Sequence, residues 1–171
     1  GSHFIMSASP ERFLAKRKGK LISQPIKGTA KRGCTEQEDQ DIIHRMLQSQ
    51  KEIAENVMIV HLVRNDLTRS ALPGTVEATR LFEIQSFKQV HQMISTITCM
   101  QDPEVSNMDV FRHTFPAGSM TGAPKIAAMR ICDQIESSKR GIYAGSIGYF
   151  GTVSDEFDFN VVIRSLLYNQ R

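Results

Sequence analysis

From Phe4 to Thr29 the chain alternates short apolar runs with charged ones. FIMSASPERFLAKRKGKLISQPIKGT reads as two strands around a turn at Lys18-Gly19-Lys20, followed by a loop. Thr35-Glu36-Gln37-Glu38 sets a hydroxyl three residues ahead of a glutamate, a capping box, so a helix is expected to start at Thr35. Ile42, Ile43, Met46 and Leu47 then recur at helical spacing. A second helical run, EIAENVMIVHLVRNDLTRS, puts Ile53, Val57, Val60 and Leu67 on one face, and Pro73-Gly74 closes it. TVEATRLFEIQSF has short strand character. VHQMISTITCM is β-branched and apolar and reads as a strand. A loop rich in Gly, Ser and Thr, FPAGSMTGAPK, enters a further helix with Pro124 near its first turn. GIYAGSIGYFGT and DEFDFNVVIRSLLYN read as the last strands. In the second, Phe157, Phe159, Val161 and Ile163 point one way, while Asn160, Val162 and Arg164 point the other.

These elements make an α+β chain, one compact unit without linker or repeat. It opens in mid-strand at Phe4 and stops just past a strand at Tyr168, so both ends look cut and part of a larger domain is expected. Gly1-Ser2-His3 resembles a tag remnant, which leaves 4–171 as the domain.

Composition narrows the classes. A chain of 171 residues, 40% hydrophobic and 23% charged, has the length and balance of one globular domain. No apolar run is long enough to span a bilayer, so no membrane role is expected. Cys34, Cys99 and Cys132 are odd in number and lack CxxC spacing, which points to reduced thiols in a cytoplasmic protein. The net charge of +3 is unevenly spread: eight Lys or Arg and one acid lie between Glu11 and Gly33. Phe13 is the sole aromatic ring there. A nucleic-acid platform needs stacking rings beside its charge, so no nucleic-acid partner is expected.

Several residues invite a chemical reading, each beside a plainer one. Lys27, in PIKGT, is either one more charge in a solvated basic loop or a nucleophile. Gly118 and Ser119, in GSMTGAPK, lie where a glycine-containing loop meets a helix start, a place that suits an anion; with neither GxxxxGK[ST] nor GxGxxG present, a carboxylate fits better than a nucleotide phosphate. Glu52 and Glu55 lie three apart on a helix, either as surface charges or as ligands of Mg²⁺, which needs only one or two carboxylates. Glu11, in SPER, is a surface glutamate or, in a closed pocket, a general acid. His91 lies in an apolar strand as a core histidine or a functional one. Arg164, midway along an apolar run, costs energy unless it meets an anion.

The motifs SASPERFL, PIKGTAKRG, EIAENVMIV, LVRNDL, PGTVEA, QVHQMIST, FPAGSMTGAPKIAAM, RGIYAGSIGYFG and FDFNVVIRS, in this order, resemble the chorismate-utilising enzyme family over nearly the whole chain. The resemblance implies part of a two-layer α/β sandwich, with antiparallel-rich sheets flanked by helices, the active site between the layers, and Mg²⁺ as cofactor. It also implies that the residue at position 27 sorts the branches. The anthranilate- and isochorismate-forming branches carry alanine there; the branch that forms 4-amino-4-deoxychorismate carries PIKGT, as this chain does. In that branch Lys27 would attack C2 of chorismate as the C4 hydroxyl leaves, and ammonia from a glutamine amidotransferase subunit would then displace it. By position, Glu11 would be the general acid/base, Glu55 a Mg²⁺ ligand, Tyr143 and Arg164 the holders of the enolpyruvyl carboxylate, Thr29, Gly118 and Ser119 pocket residues, and His91 a histidine near the enolpyruvyl group. Two departures stand out. His61 occupies a position where the family usually has aspartate. The glycine-rich segment and final helix that carry a second Mg²⁺ glutamate and a substrate lysine do not follow Arg171, so the chain alone is not expected to catalyse. Anthranilate, isochorismate or salicylate chemistry, or a non-catalytic relative, are the alternatives.

Overall fold

The computed structural model describes residues 2–170. In chain order it contains β1 (His3–Ser7), β2 (Arg12–Arg17), β3 (Lys20–Gln24), β4 (Ile26–Lys31), α1 (Glu36–Gln48), α2 (Gln50–Thr68), β5 (Glu77–Ser86), β6 (Val90–Met100), α3 (Asn107–Thr114), a single 3-10 turn (Gly118–Met120), α4 (Lys125–Ile135), β7 (Ser146–Phe150), β8 (Phe157–Val161) and β9 (Ser165–Asn169). Seven strands form one antiparallel sheet in the order β4-β6-β3-β2-β8-β7, with β5 on the free edge of β6; β1 and β9 form a separate two-stranded ribbon. The expected α+β fold, antiparallel sheets with helices, is what the chain adopts.

The local signals explain most of this. Thr35 caps α1, its hydroxyl accepting from the Glu38 N–H, and the Glu38 carboxylate turns back to the Cys34 N–H at 2.7 Å. Leu14, Leu21, Ile97, Phe157 and Val161 from the sheet meet Ile59, Val60, Val63 and Leu67 of α2 and Val110 of α3 in the core. Burying each such side chain contributes about 1.5–3 kcal/mol. Phe111 of α3 sits amid Phe13, Phe150, Phe157 and Phe159, its centroid 4.6 Å from that of Phe159.

Four expectations change. The loop after β3 is a strand, β4, paired with β6; Pro25 interrupts the edge, and Ser95 N–H donates to the Pro25 carbonyl. α3 is short and polar on its outer face, so its periodicity is faint. α2 turns Asn56, Ile59, Val60, Val63, Asp66 and Leu67 inward and leaves Val57 exposed, because the buried polar residues Asn56 and Asp66 find partners inside. The last apolar run is two strands in two sheets: β8 ends at Val161, Arg164 takes a left-handed conformation with φ 49°, and β9 leaves to pair with β1. Arg164 is therefore an exposed bend residue, and no burial cost has to be met in mid-strand.

Candidate active site

One side of α2 forms the spine of the site. Glu52, Glu55, Ile59, Leu62 and Asp66 follow one another at spacings of three and four, so they share a side of the helix. Near its start this side meets β4. Gly28 has φ 89°, and a Cβ there would lie 2.7 Å from Glu52 Oε2. Further along, Leu62 meets the loop after α3, where a Cβ on Gly118 would lie 2.7 Å from Leu62 Cδ2. Both glycines let backbone approach the helix closely.

Glu11 sits in the turn before β2, 7% exposed, with its carbonyl accepting from the Val161 N–H. Burial pushes its carboxyl above the usual glutamate range, and the Ser119 hydroxyl and the Lys27 ammonium draw it part of the way back. The Ser119 hydroxyl is buried beside that carboxyl and has no hydrogen-bond partner of full geometry, so it is placed to meet Glu11 or a ligand. Glu11, Pro25, Val63, Asp66, Thr114, Gly118 and Ser119 line a cavity of ≈ 20 Å³, space for about one water. Lys27, on β4, is half-buried and makes no ion pair within 4 Å among the described residues. A carboxyl whose pKa is raised by burial thus lies within electrostatic reach of an amine without an ion-pair partner among the described residues, two groups of the kind that nucleophilic addition with acid-assisted departure requires.

The sequence-matched residues do not all converge here. Glu11, Lys27, Gly118 and Ser119 come together. Thr29 is exposed two residues beyond Lys27 on β4, opposite Gln92. Glu55 is half-exposed beside Lys51, on the same side of α2 as Glu52. Tyr143 and Arg164 are brought near each other, since Ala144 N–H donates to the Val162 carbonyl at 3.0 Å. Tyr143 is 53% exposed in the wall of a broad apolar groove along α4, and the Arg164 guanidinium makes no ion pair among the described residues. His91 lies apart. It is 1% exposed, with Nδ1 2.8 Å from Ser86 Oγ and Nε2 3.1 Å from Asp39 Oδ1. Asp39 is in turn held by the Arg32 guanidinium and the Gly33 N–H. Both ring nitrogens of His91 are engaged, in a pocket that contains neither Glu11 nor Lys27. His61 is an exposed residue on the outer side of α2.

Two residues to which the family resemblance gives no role belong to this region. Glu52 was visible as half of an acid pair, but Ser49-x-x-Glu52 also matches a capping box, and only the structure turns its carboxylate onto Gly28. Lys125 closes the SMTGAPK loop and reaches back across it. It lies in the first turn of α4 and donates to Asp66 Oδ2 at 2.5 Å.

The family model for chorismate binding enzymes matches residues 1–171. The chain belongs to the chorismate binding enzyme family. It is 45% identical to the chloroplastic aminodeoxychorismate synthase of Arabidopsis thaliana over 97% of its own length and 18% of that protein's. To aminodeoxychorismate synthase component 1 of Escherichia coli K12 it is 41% identical, covering 95% of this chain and 36% of the relative. Among solved structures, anthranilate synthase component I from Streptococcus pneumoniae TIGR4 superposes with a TM-score of 0.88 at 35% identity, over 99% of this chain and 37% of the other. The chain thus spans roughly a third or less of the relatives it matches.

The family implies Mg²⁺. Among the described residues no group of three or more His, Cys, Asp or Glu is placed to hold a metal. Glu52 Oε2, however, is buried without a hydrogen-bond partner, an orphaned carboxylate oxygen facing the cleft between α2 and β4. Magnesium keeps several waters and takes one or two protein carboxylates together with substrate oxygens, so Glu52 and Glu55 fit the ion.

Proposed function

We propose that the protein of which this chain is part is an aminodeoxychorismate synthase component I, which makes 4-amino-4-deoxychorismate, the p-aminobenzoate and folate precursor, from chorismate and ammonia. One observation carries the reading: Lys27 stands within electrostatic reach of a buried Glu11 whose carboxyl is held toward its protonated form. Relatives named aminodeoxychorismate synthase, at 41–45% identity, support it.

In the proposed sequence the neutral Lys27 amine forms a bond to C2 of chorismate. The two ring double bonds shift, the C4–O bond breaks, and Glu11 gives its proton to the departing hydroxyl, which leaves as water. Ammonia then bonds to C4, the double bonds shift back, the C2–N bond breaks and Lys27 is regenerated. The proton that ammonia sheds restores Glu11, so the sum is chorismate and ammonia to aminodeoxychorismate and water. Glu52 and Glu55 would hold Mg²⁺, which supplies positive charge for the ring carboxylate. The Ser119 hydroxyl and the Gly118 backbone would bind substrate beside Glu11. Tyr143 and the unpaired Arg164 would hold the enolpyruvyl carboxylate, for which arginine's paired donors are suited. The component I name of relatives fits a second subunit, which we take to be a glutamine amidotransferase that delivers ammonia. Three free thiols, one of them Cys99 with its pKa pushed by burial up to about 11, suit a reducing compartment such as the cytoplasm. No helix among the described residues is long and apolar enough to cross a membrane.

The test is product analysis with the full-length protein, chorismate, Mg²⁺ and an ammonium salt. Aminodeoxychorismate is the expected product. Anthranilate or isochorismate would favour the other branches, and unchanged chorismate a non-catalytic relative.

A further inference from the structure

The loop that carries Gly118 and Ser119 has few anchors of its own. Within it, Met120 N–H donates to the Ala117 carbonyl and Thr121 N–H to the Gly118 carbonyl, and both bonds are local. Two side chains from beyond it tie the loop to the rest of the fold: Arg140 Nη1 donates to the Met120 carbonyl at its far end at 2.8 Å, and Lys125 holds its start. Lys125 Nζ donates to the Thr114 carbonyl at 2.8 Å, to the Pro116 carbonyl at 2.7 Å and to Asp66 Oδ2 at 2.5 Å. An ammonium has three donors, and all three are used. The Lys125 and Asp66 side chains are each 11% exposed. A lysine so removed from water is tolerated only when it is paired and fully hydrogen-bonded.

The three acceptors define the purpose. Thr114 and Pro116 bracket the start of the segment that continues as Ala117-Gly118-Ser119. Asp66 lies on the side of α2 that also carries Leu62, the residue against which Gly118 packs. Asp66, Thr114, Gly118, Ser119 and Glu11 all face the same small cavity. Resting on the proposed function above, we infer that Lys125 is a positioning residue: through Asp66 and the two carbonyls it sets the height of the Gly118–Ser119 loop over α2, and so the distance between the Ser119 hydroxyl and Glu11. It touches no reacting atom; it acts through the loop.

The test uses the full-length protein with Lys125→Met and with the double variant Asp66→Asn/Lys125→Met, which removes both buried charges and leaves neither stranded. Hydrogen exchange of the backbone amides of residues 117–121 reads the anchor whether or not the protein turns over chorismate. Faster exchange there in both variants, with α2 protected as in the wild type, is expected; unchanged exchange overturns the inference. Where the wild type forms aminodeoxychorismate, kcat/KM should fall about 100-fold, as a small misplacement of a substrate-holding group does. Ser119→Ala should then cost much less in the Lys125→Met background than in the wild type. Wild-type kcat/KM in the double variant, or full additivity with Ser119→Ala, contradicts a role exerted through the loop. Arg112→Ala, at an exposed ion pair on α3, is the control and should leave turnover unchanged. A wild type that makes no aminodeoxychorismate sinks the functional reading alone, since the exchange result still decides the anchor.

Discussion

Gly28 and Glu52 are in contact: the strand that carries Lys27 and the first turn of α2 approach so closely that a methyl group on Gly28 would lie 2.7 Å from the Glu52 carboxylate. The glycine answers two demands at once, a φ of 89° and the absence of a side chain. Gly28→Ala should therefore cost about 1–3 kcal/mol from the backbone alone. It should also displace Glu52 and depress turnover beyond what the stability loss explains. Thermal unfolding and kcat of the full-length variant check the two effects separately.

Glu52 is expected to matter more for metal than for folding. Its Oε2 has no protein partner to lose, so Glu52→Gln should leave the unfolding midpoint near that of the wild type in the absence of Mg²⁺. The Mg²⁺ concentration for half-maximal activity should rise, by roughly 10–100-fold if the carboxylate orients the ion or its waters. Glu55→Gln should shift the same titration. A Mg²⁺ requirement indifferent to both substitutions would remove the pair from the metal site.

Glu11 should show function held at a cost to stability. Its folded pKa lies above the ordinary 4.5, so the fold binds the proton more tightly than the unfolded chain does. Below pH 4.5 both states are protonated and there is no penalty. As pH rises from 4.5 through the folded value, the buried carboxyl must ionise and stability is lost. Glu11→Gln carries no such charge. The variant should gain thermal stability over the wild type as pH rises from 4.5 toward neutrality, while losing activity. Unfolding midpoints measured across that range test it; parallel curves would contradict it.

Asp39 has the opposite sign. The Arg32 guanidinium, then the Gly33 N–H and His91, hold its carboxyl well below the usual 3.8. That stability is present above pH 3.8 and lost as pH falls below it. Asp39→Asn should be less stable than the wild type at neutral pH, with the gap closing in acid. The substitution also deprives Arg32, the residue after β4, of its ionic partner and leaves it only the Phe87 carbonyl, so turnover should fall modestly with it. Unfolding followed from neutral pH downward reads the closing gap.

How much of this the sequence disclosed depended on whether the signal was local. Thr35 and Glu38 bond within one helical turn, so the capping box marked α1 directly. PIKGT, SPER and GSM marked Lys27, Glu11 and Ser119 as sequence patterns, and the fold gathered them. The misreadings involve partners distant in sequence. Asn56 and Asp66 are polar on an inward face because Ser95 and Lys125 come to meet them, so hydropathy placed Val60 and Leu67 inward correctly but put Val57 there too. β4 looked like a loop because its strand partner, β6, lies some sixty residues on. Arg164 looked like a mid-strand residue because a left-handed kink leaves no mark in an apolar pattern. His91 carried two readings, core or functional, and its burial against Asp39 of α1 and Ser86 of β5 is what the core reading expects.

The central claim is that Lys27 bonds to the substrate. The most direct measurement treats the full-length protein with chorismate and Mg²⁺ without ammonia, quenches it in acid, and maps the digested peptides by mass spectrometry. A peptide spanning Lys27 that gains the mass of chorismate less one water, and is absent from Lys27→Ala, is the predicted result. An unmodified Lys27, together with a Lys27→Ala variant that still forms aminodeoxychorismate at the wild-type rate, would contradict the account and return Lys27 to the solvated charges of its basic surroundings.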